Sequence, residues 1–264
     1  MKIGAPAWYG HRPFGKKLRE ILEMGFDYSE IALDYPLPEK AEELERAIKD
    51  LDLKPAFHAP LDMLVACPRD EIFRASMKIL KKCLEFAAKF ETLYFNFHAM
   101  HFTPTYIFSE IKAQGIRNLE QAIKFAVEFG REAGFDICLE NDQFFMEDFV
   151  LGDVKLTLDL GHFVIDSYRL GEDYRKALKD FVKKYEDRIA VLHVHDVNFS
   201  SFSDHLALGS GDLDYEVLKW LFESLGLRFV LLEVFWKDVK YSMNFADRDD
   251  LQKSLNFLKS IVLR

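Results

Sequence analysis

Histidines and carboxylates in this chain lie at one kind of place, at or just beyond the end of a short apolar run. Three carboxylates end such runs, namely Glu140 in DICLE, Asp159 in KLTLD and Glu233 in FVLLE. Histidines that served only as core residues would not gather at strand exits in this way. Seven of the 8 histidines do so: His58, His98, His101, His162, His193, His195 and His205.

These side chains have the chemistry of a divalent metal site. Imidazole and carboxylate groups together are typical ligands of Zn, Mn, Co or Fe, and they suit Mg less well. A carboxylate at the end of an apolar strand is also costly to bury unless it is paired or bound to a metal. Because several strands carry such groups, we expect them to converge on a shared ion.

Strand-like and helix-like segments alternate along the chain and predict how these groups are positioned. This alternation is typical of parallel strands joined by crossover helices. The predicted strands are Lys2–Ala5, Tyr28–Leu33, Lys54–His58, Leu93–His98, Asp136–Glu140, Lys155–Asp159, Ile189–His195 and Phe229–Glu233. The predicted helices are Pro38–Asp50, Asp70–Phe90, Asn118–Glu132, Glu172–Tyr185, Tyr215–Leu225 and Asp247–Val262.

Eight such strands predict an α/β fold, a single-domain (β/α)8 TIM barrel over residues 1–264. An open doubly wound sheet is the alternative, but no G-x-G-x-x-G opens a helix after the first strand. Active sites of these barrels lie at the carboxyl ends of the strands. Side chains alternate along a strand with period 2. His193 and His195 therefore share one face, opposite Leu192 and Val194, which we expect to contact the helices.

Composition limits the classes of function. No run reaches the roughly 18 apolar residues of a membrane span, and no signal peptide is recognisable. The 3 cysteines are too few and too irregularly spaced for a disulfide framework. We therefore expect a cytoplasmic protein. The formal net charge of -9 argues against nucleic acid as a partner, because DNA affinity depends on neutralising phosphates.

The order of several short motifs resembles the xylose isomerase-like TIM barrel superfamily. This superfamily includes sugar isomerases, sugar 3-epimerases and the endonuclease IV type of abasic-site nuclease. The resemblance covers about residues 2 to 260. The motifs are FHAP (57–60), LEN (139–141), LDLGH (158–162), HVHD (193–196), DHLALGSGDLD (204–214) and LLE (231–233).

The resemblance implies a role for each matching residue. It implies that Glu140, Asp159, His193 and Glu233 are the ligands of one divalent metal, Mn, Zn or Co, and that Glu140 and Glu233 also transfer protons. His162 resembles a histidine that contacts substrate, or that binds a second metal in the nuclease. His58, His98 and His205 resemble additional nuclease ligands, and substrate binding is the alternative role for them.

One position departs from the nuclease pattern. Two residues before His205 the nuclease has Asp, and this chain has Ser203, with Asp204 next to it. The pattern that begins at Asp204 is closer to the sugar-isomerase branch. We therefore expect a metal-dependent isomerase or epimerase of a sugar or sugar phosphate, and the abasic-site phosphodiesterase is the alternative. Self-association into a homo-oligomer is left open.

Two further features lie near the predicted strand ends. The turn Gly209-Ser210-Gly211 follows the seventh strand, where such barrels often bind phosphate, although a tight turn is the favoured interpretation. Aromatic residues could form an apolar wall against a sugar or could belong to the core. They are Trp8, Tyr9, Phe102, Phe144, Phe145, Phe163, Phe199, Phe202 and Trp236.

Overall fold

The structure, a computed structural model, describes residues 1–99, 104–141 and 150–262. Its strands are β1 (Lys2–Ala7), β2 (Tyr28–Ala32), β3 (Ala56–His58), β4 (Tyr94–His98), β5 (Asp136–Glu140), β6 (Lys155–Asp159), β7 (Ile189–Val194), β8 (Asp196–Asn198), β9 (Ser203–Leu206) and β10 (Phe229–Leu232). In this part of the chain, eight strands form a closed barrel in the order β1-β10-β7-β6-β5-β4-β3-β2. Every neighbouring pair is parallel, so the predicted barrel is confirmed and the open sheet is wrong.

Helices surround the barrel. The α-helices in the described residues are α1 (Phe14–Glu23), α2 (Glu42–Asp50), α3 (Asp70–Ala87), α4 (Ser109–Ala133), α5 (Leu160–Arg169), α6 (Tyr174–Tyr185), α7 (Tyr215–Ser224) and α8 (Arg248–Val262). The strands β8 and β9 form a separate antiparallel pair between β7 and α7. None of the helices in the ranges described is both long and apolar enough to cross a bilayer.

The sequence predicted the barrel strands better than the helices. Helix α1 was not predicted, although Phe14, Leu18 and Ile21 form a buried stripe at helical spacing. Helix α5 was also missed, because it begins directly at the end of β6, where a loop was expected. There the Asp159 side chain caps the helix by accepting a hydrogen bond from the His162 backbone N–H at 2.7 Å.

Two helices begin four or more residues away from their predicted starts. Helix α2 begins at Glu42, four residues after Pro38, so the proline does not mark its first turn. Helix α4 begins at Ser109 and includes Gly115, a residue that disfavours helix in the sequence. The glycine is needed there, because an added Cβ would lie 2.8 Å from the Ala66 carbonyl oxygen.

Side-chain alternation divides the apolar residues of the strands between two clusters. Leu139, Leu192, Val194 and Leu232 face outward and contact the helices, as predicted. The inward residues fill the lower part of the barrel, below its carboxyl-terminal mouth. This inner cluster consists of Tyr28, Ala56, Tyr94, Cys138, Ala190, Val191, Phe229 and Leu231. The inward positions closer to the strand ends are left for polar groups.

The dense packing of the inner cluster predicts that Gly4→Ala destabilises the protein. A Cβ at position 4 would overlap the buried Tyr28 ring, which has no room to move. We expect a loss of about 1–3 kcal/mol in the free energy of unfolding, measured by denaturant titration. Gly226→Ala is the control, since no heavy atom of the described residues lies within 4 Å of its added carbon. Equal stability of the two variants would contradict the prediction.

Candidate functional site

The four predicted metal ligands converge at the mouth of the barrel. Glu140 ends β5, Asp159 ends β6, His193 lies in β7 and Glu233 directly follows β10. One ligand atom from each lies within 4.8 Å of those of the others, and all four residues are buried. The register explains this convergence, because Asp159 pairs with His193 across β6 and β7.

His193 is the centre of the cluster. Its Nδ1 atom lies 3.1 Å from Glu140 Oε1 and 3.0 Å from Glu233 Oε2. Its Nε2 atom, on the other side of the ring, lies 3.4 Å from Glu30 Oε2. The imidazole therefore separates two glutamates of the cluster from a third glutamate on β2.

Glu30 was missed by the sequence analysis. It lies inside β2, is only 2% exposed and reaches the cavity from within the barrel. A signal was available, because Glu30 is a charged residue within a predicted strand. By period 2 it shares a face with Tyr28, which lies inside the barrel.

Amide and hydroxyl groups that the sequence analysis also missed hold the carboxylates in place. The Asn96 side-chain amide donates to Glu140 Oε2, and Thr157 Oγ1 donates to Asn96 Oδ1 at 2.9 Å. Asn141 joins the ends of two strands, since its amide donates to the Asp159 carbonyl at 2.9 Å and accepts from the Asp159 N–H at 2.7 Å. These contacts fix Glu140 and Asp159 at adjacent strand ends.

His58 and His98 form a second group around Glu140. The His58 Nε2 atom lies 3.3 Å from Glu140 Oε2, and the His98 Nε2 atom lies 4.0 Å from the same oxygen. The two rings are 4.9 Å apart. Glu140 therefore belongs both to this group and to the four-ligand cluster. If each group held an ion, the Glu140 carboxylate could bind both ions.

His162, His195 and His205 form a third group beside Asp159. The His195 Nε2 atom lies 3.0 Å from Asp159 Oδ1, so His195 bonds across the barrel mouth. The rings of His195 and His205 stack with centroids 4.2 Å apart. His101 lies outside the described residues.

Asp204, rather than Ser203, supplies the carboxylate to this third group. Asp204 is fully buried, and its Oδ1 lies 2.6 Å from His205 Nδ1. Its Oδ2 lies 2.6 Å from Lys240 Nζ and 3.8 Å from His162 Nε2. Ser203 instead accepts hydrogen bonds from the Ser201 hydroxyl and the Lys240 backbone N–H.

Electrostatics keep the carboxylates of the site ionised. Burial raises the pKa of Glu140 and of Glu233, but contacts with His193 and neighbouring imidazoles outweigh burial and hold both pKa values well below their usual range. Burial likewise lowers the pKa of His58, but Glu140 outweighs it and raises that pKa to about 10. For His205, burial is outweighed by Asp204 and Glu233, and its pKa is about 10.

A cavity of about 580 Å³ opens above these groups. Its apolar wall includes Trp8, Phe235, Trp236 and Tyr241. Of the aromatic residues predicted near the site, Phe163 and Phe199 contact the hydrophobic core, and Phe202 is 41% exposed. The predicted Phe102, Phe144 and Phe145, and the side chain of Tyr9, lie outside the described part.

The turn Gly209-Ser210-Gly211 does not face this cavity as a phosphate site. Its three backbone N–H groups donate to Asp196 Oδ2, at 3.0, 3.1 and 2.9 Å. A carboxylate of the chain itself already fills the turn, in agreement with the tight-turn interpretation.

The donor set fits a divalent metal. Three carboxylates and one imidazole offer oxygen and nitrogen ligands of the kind that Mn, Zn and Co accept. The His193 ring is hydrogen-bonded through Nδ1 to Glu233 Oε2, whereas its buried Nε2 atom makes no hydrogen bond within the described residues. Glu140, Asp159, His193 and Glu233 would hold the ion.

The chain matches one family model and several solved structures. Residues 18–261 match the family described as Xylose isomerase-like TIM barrel. An uncharacterized protein of Methanocaldococcus jannaschii is 26% identical over 207 residues, which are 76% of this chain and 78% of that protein.

Solved structures of sugar epimerases share the fold. A D-tagatose 3-epimerase-like protein has a TM-score of 0.74 and 20% identity, covering 100% of this chain and 97% of that chain. The D-allulose 3-epimerase of Methylomonas sp. in complex with D-allulose has a TM-score of 0.73 and 17% identity, covering 98% and 96%. At these identities the similarity establishes the fold.

The raised pKa values of His58 and His205 predict that metal-free protein loses stability at alkaline pH. Their folded-state pKa of about 10 exceeds the ordinary 6.5, so the protonated rings stabilise the fold. This contribution is complete below pH 6.5 and is lost as the pH rises through 10. We expect the melting temperature of chelator-treated protein to fall across this window. In His205→Gln the fall should be shallower, and identical pH profiles would contradict the assignment.

Proposed function

Because the chain belongs to the xylose isomerase-like TIM barrel family, we propose that it is a metal-dependent sugar isomerase or epimerase. The observation that carries this proposal is the convergence of Glu140, Asp159, His193 and Glu233 below a cavity of about 580 Å³. A cavity of this size, with apolar walls and few convergent polar groups, is typical of a small-molecule site. The names of the structurally similar sugar epimerases support the same class of substrate.

Glu140 and Glu233 are the proposed proton-transfer residues. They enter the cavity from strands that are separated by β6 and β7, so they reach a bound sugar from different directions. Their low pKa values keep both as carboxylates, the form that can accept a proton. A divalent ion held in the cluster would supply positive charge that stabilises the enediolate formed beside the carbonyl.

The histidines around the ligand cluster are the proposed substrate-binding residues. His58, His98, His162 and His205 all line the cavity and can hydrogen-bond sugar hydroxyl groups. Trp8 and Trp236 give the cavity an apolar side against which a sugar face can lie. The two glutamates and these side chains together orient the carbon that exchanges its proton.

The charges of the cavity favour a sugar over a sugar phosphate. Lys240 is the one lysine or arginine among the described residues that line the cavity. Its ammonium is bound by Asp204 at 2.6 Å, and the glycine turn that could bind a phosphate is filled by Asp196. Glu30, Asp34, Glu140 and Glu233 add negative charge to the lining. A phosphate would have to enter against these carboxylates.

The abasic-site phosphodiesterase is the second candidate. The groups His58–His98–Glu140 and Asp159–His162–His195–His205 favour it, because each could hold an additional ion. Against it stand the net charge of -9 and the pairing of Lys240 with Asp204. Incision of a duplex that carries an abasic analogue, with added Zn, would favour the nuclease over the isomerase.

The proposal predicts exchange of solvent deuterium into a ketose. Proton removal beside the carbonyl lets heavy water reload the base, so one carbon–hydrogen bond of the substrate should become deuterated. Pentuloses, hexuloses and their phosphates are incubated with the protein and Mn or Co in heavy water and are then examined by NMR. We expect exchange, or aldose or epimer product, with free ketoses and not with the phosphates. Neither exchange nor product across the panel would overturn the isomerase assignment.

Glu140→Gln and Glu233→Gln should each abolish turnover while the fold persists. Glutamine keeps the volume of the side chain but removes the charge needed to bind a cation and to accept a proton. We expect a loss of at least about 100-fold in kcat, as general acid–base catalysis contributes roughly 10²–10⁴-fold. Circular dichroism checks the fold. Glu91→Gln is the control, since Glu91 is an exposed residue that pairs with Lys54. Full activity in both site variants would place the chemistry elsewhere.

A further inference from the structure

We propose that Glu30 is a positioning residue that decides which nitrogen of His193 faces the metal site. Glu30 lies on β2, and the resemblance to the family assigned it no role. The inference rests on the proposed function, because it concerns a ligand of the proposed metal. It adds a fifth buried side chain to the machinery of that site.

The two ring nitrogens of His193 face different glutamates. His193 Nδ1 faces the carboxylates of Glu140 and Glu233, at 3.1 and 3.0 Å. The Nε2 atom faces Glu30 Oε2 at 3.4 Å. Glu30 therefore lies on the side of the ring away from the other two glutamates. An ion bound to His193 Nδ1 would therefore lie beside Glu140 and Glu233, and not beside Glu30.

The tautomer of His193 follows from the ring nitrogen that faces the ligand cluster. A neutral imidazole binds a cation through one nitrogen and carries a proton on the other. A hydrogen-bond acceptor beside the second nitrogen fixes this tautomer, and such acceptors are commonly carboxylates. Here Nδ1 is directed at the cluster, so Nε2 must carry the proton. Glu30 is the acceptor placed to receive it.

The His193 Nε2 and Glu30 Oε2 atoms are placed to form a hydrogen bond with each other. Both atoms are fully buried, and neither makes a hydrogen bond to another group in the described part of the chain. A buried polar atom left in this state is costly. A small rotation of the ring or the carboxylate would bring the 3.4 Å separation into hydrogen-bond range.

The inner cluster lies directly below Glu30. The Tyr94 hydroxyl is close to the Glu30 carboxylate, and burial together with the Glu30 charge holds the pKa of this hydroxyl well above its usual range, so it stays protonated and can donate. The Tyr28 hydroxyl lies 3.1 Å from that of Tyr94 and also contacts the Val230 carbonyl oxygen at 3.1 Å. These polar groups are surrounded by the buried side chains of the inner cluster. This rigid support is what an orienting residue requires.

The test measures metal binding as well as activity. The wild-type protein, Glu30→Gln and Glu30→Leu are titrated with Co²⁺ against a chromophoric chelator, and the visible spectrum of the bound ion is recorded. Glutamine keeps an acceptor without the charge, whereas leucine leaves no acceptor. We expect Co²⁺ to bind about 10-fold more weakly in Glu30→Gln, and up to about 100-fold more weakly in Glu30→Leu, with an altered Co²⁺ spectrum.

Ser29→Ala is the matched control for a merely structural effect. It removes a buried hydroxyl from the same strand β2, and this hydroxyl donates to the Ala5 carbonyl at 2.9 Å rather than to the site. We expect it to lower the melting temperature while it leaves Co²⁺ affinity and spectrum unchanged. An effect on Co²⁺ as large as that of Glu30→Leu would show that any damage to β2 disturbs the site, and it would overturn the role of Glu30.

A second readout reports the tautomer directly. In protein loaded with Zn²⁺ and carrying ¹⁵N-labelled histidine, two-bond proton–nitrogen spectra distinguish a metal-bound nitrogen from a protonated one. We expect His193 to carry its proton on Nε2 and to bind through Nδ1. The reverse pattern would overturn the inference, as would unchanged Co²⁺ affinity in both Glu30 variants.

The outcomes separate this inference from the proposed function. A wild-type protein that binds neither Co²⁺ nor Zn²⁺ overturns the metal site and the role of Glu30 together. A wild-type protein that binds Co²⁺, with Glu30→Leu binding it equally well, overturns only the role of Glu30. Weaker Co²⁺ binding in the Glu30 variants, with the expected tautomer and unchanged Co²⁺ binding in Ser29→Ala, supports both.

Discussion

The contact between buried carboxylates and buried imidazoles is the interaction on which the barrel mouth depends. In the described residues Glu30, Glu140 and Glu233 surround one ring, that of His193. An isolated carboxylate in such a place would be strongly disfavoured, because it leaves water without a compensating charge. Each of these groups is tolerated only because its neighbour has the opposite charge. Asp204 follows the same rule with His205, and Asp159 lies 3.0 Å from the His195 ring.

This network needs a fold that brings distant segments of the chain to one place. Parallel strands release their carboxyl ends on the same side of the barrel, so residues far apart in sequence meet there. Below the mouth, large inward side chains such as Tyr28, Tyr94 and Phe229 fill the barrel and exclude water. The polar groups lie directly above this packed layer, and the charge of Glu30 and burial together hold the pKa of the Tyr94 hydroxyl well above its usual range.

The helix and loop connections adjust the site in ways that depend on contacts across the chain. Asp159 caps α5 with the same side chain that contacts His195, so helix and site share one carboxylate. Asp204 lies in the separate β8–β9 pair and receives Lys240 from the loop beyond β10. Asp204 therefore connects a cation of this loop with the third histidine group, through His205 at 2.6 Å.

The sequence by itself determined the barrel and most of the side chains at its mouth. Strands alternate with helices, and carboxylates and histidines lie at or near the ends of apolar runs, so local patterns were sufficient to predict the barrel and a polar mouth. The choice of Glu140, Asp159, His193 and Glu233 as one ligand set came from the resemblance to the family. The sequence did not reveal α5, because that helix begins at the last residue of a strand, nor Glu30 and Asn96, because they lie within strands rather than at their ends. Only the tertiary structure decided that Glu30 meets His193 and that Asp204, not Ser203, joins His205. Such contacts join residues that are far apart in the chain. Which residues meet depends on the strand register and on how the barrel closes, and a local sequence pattern contains neither.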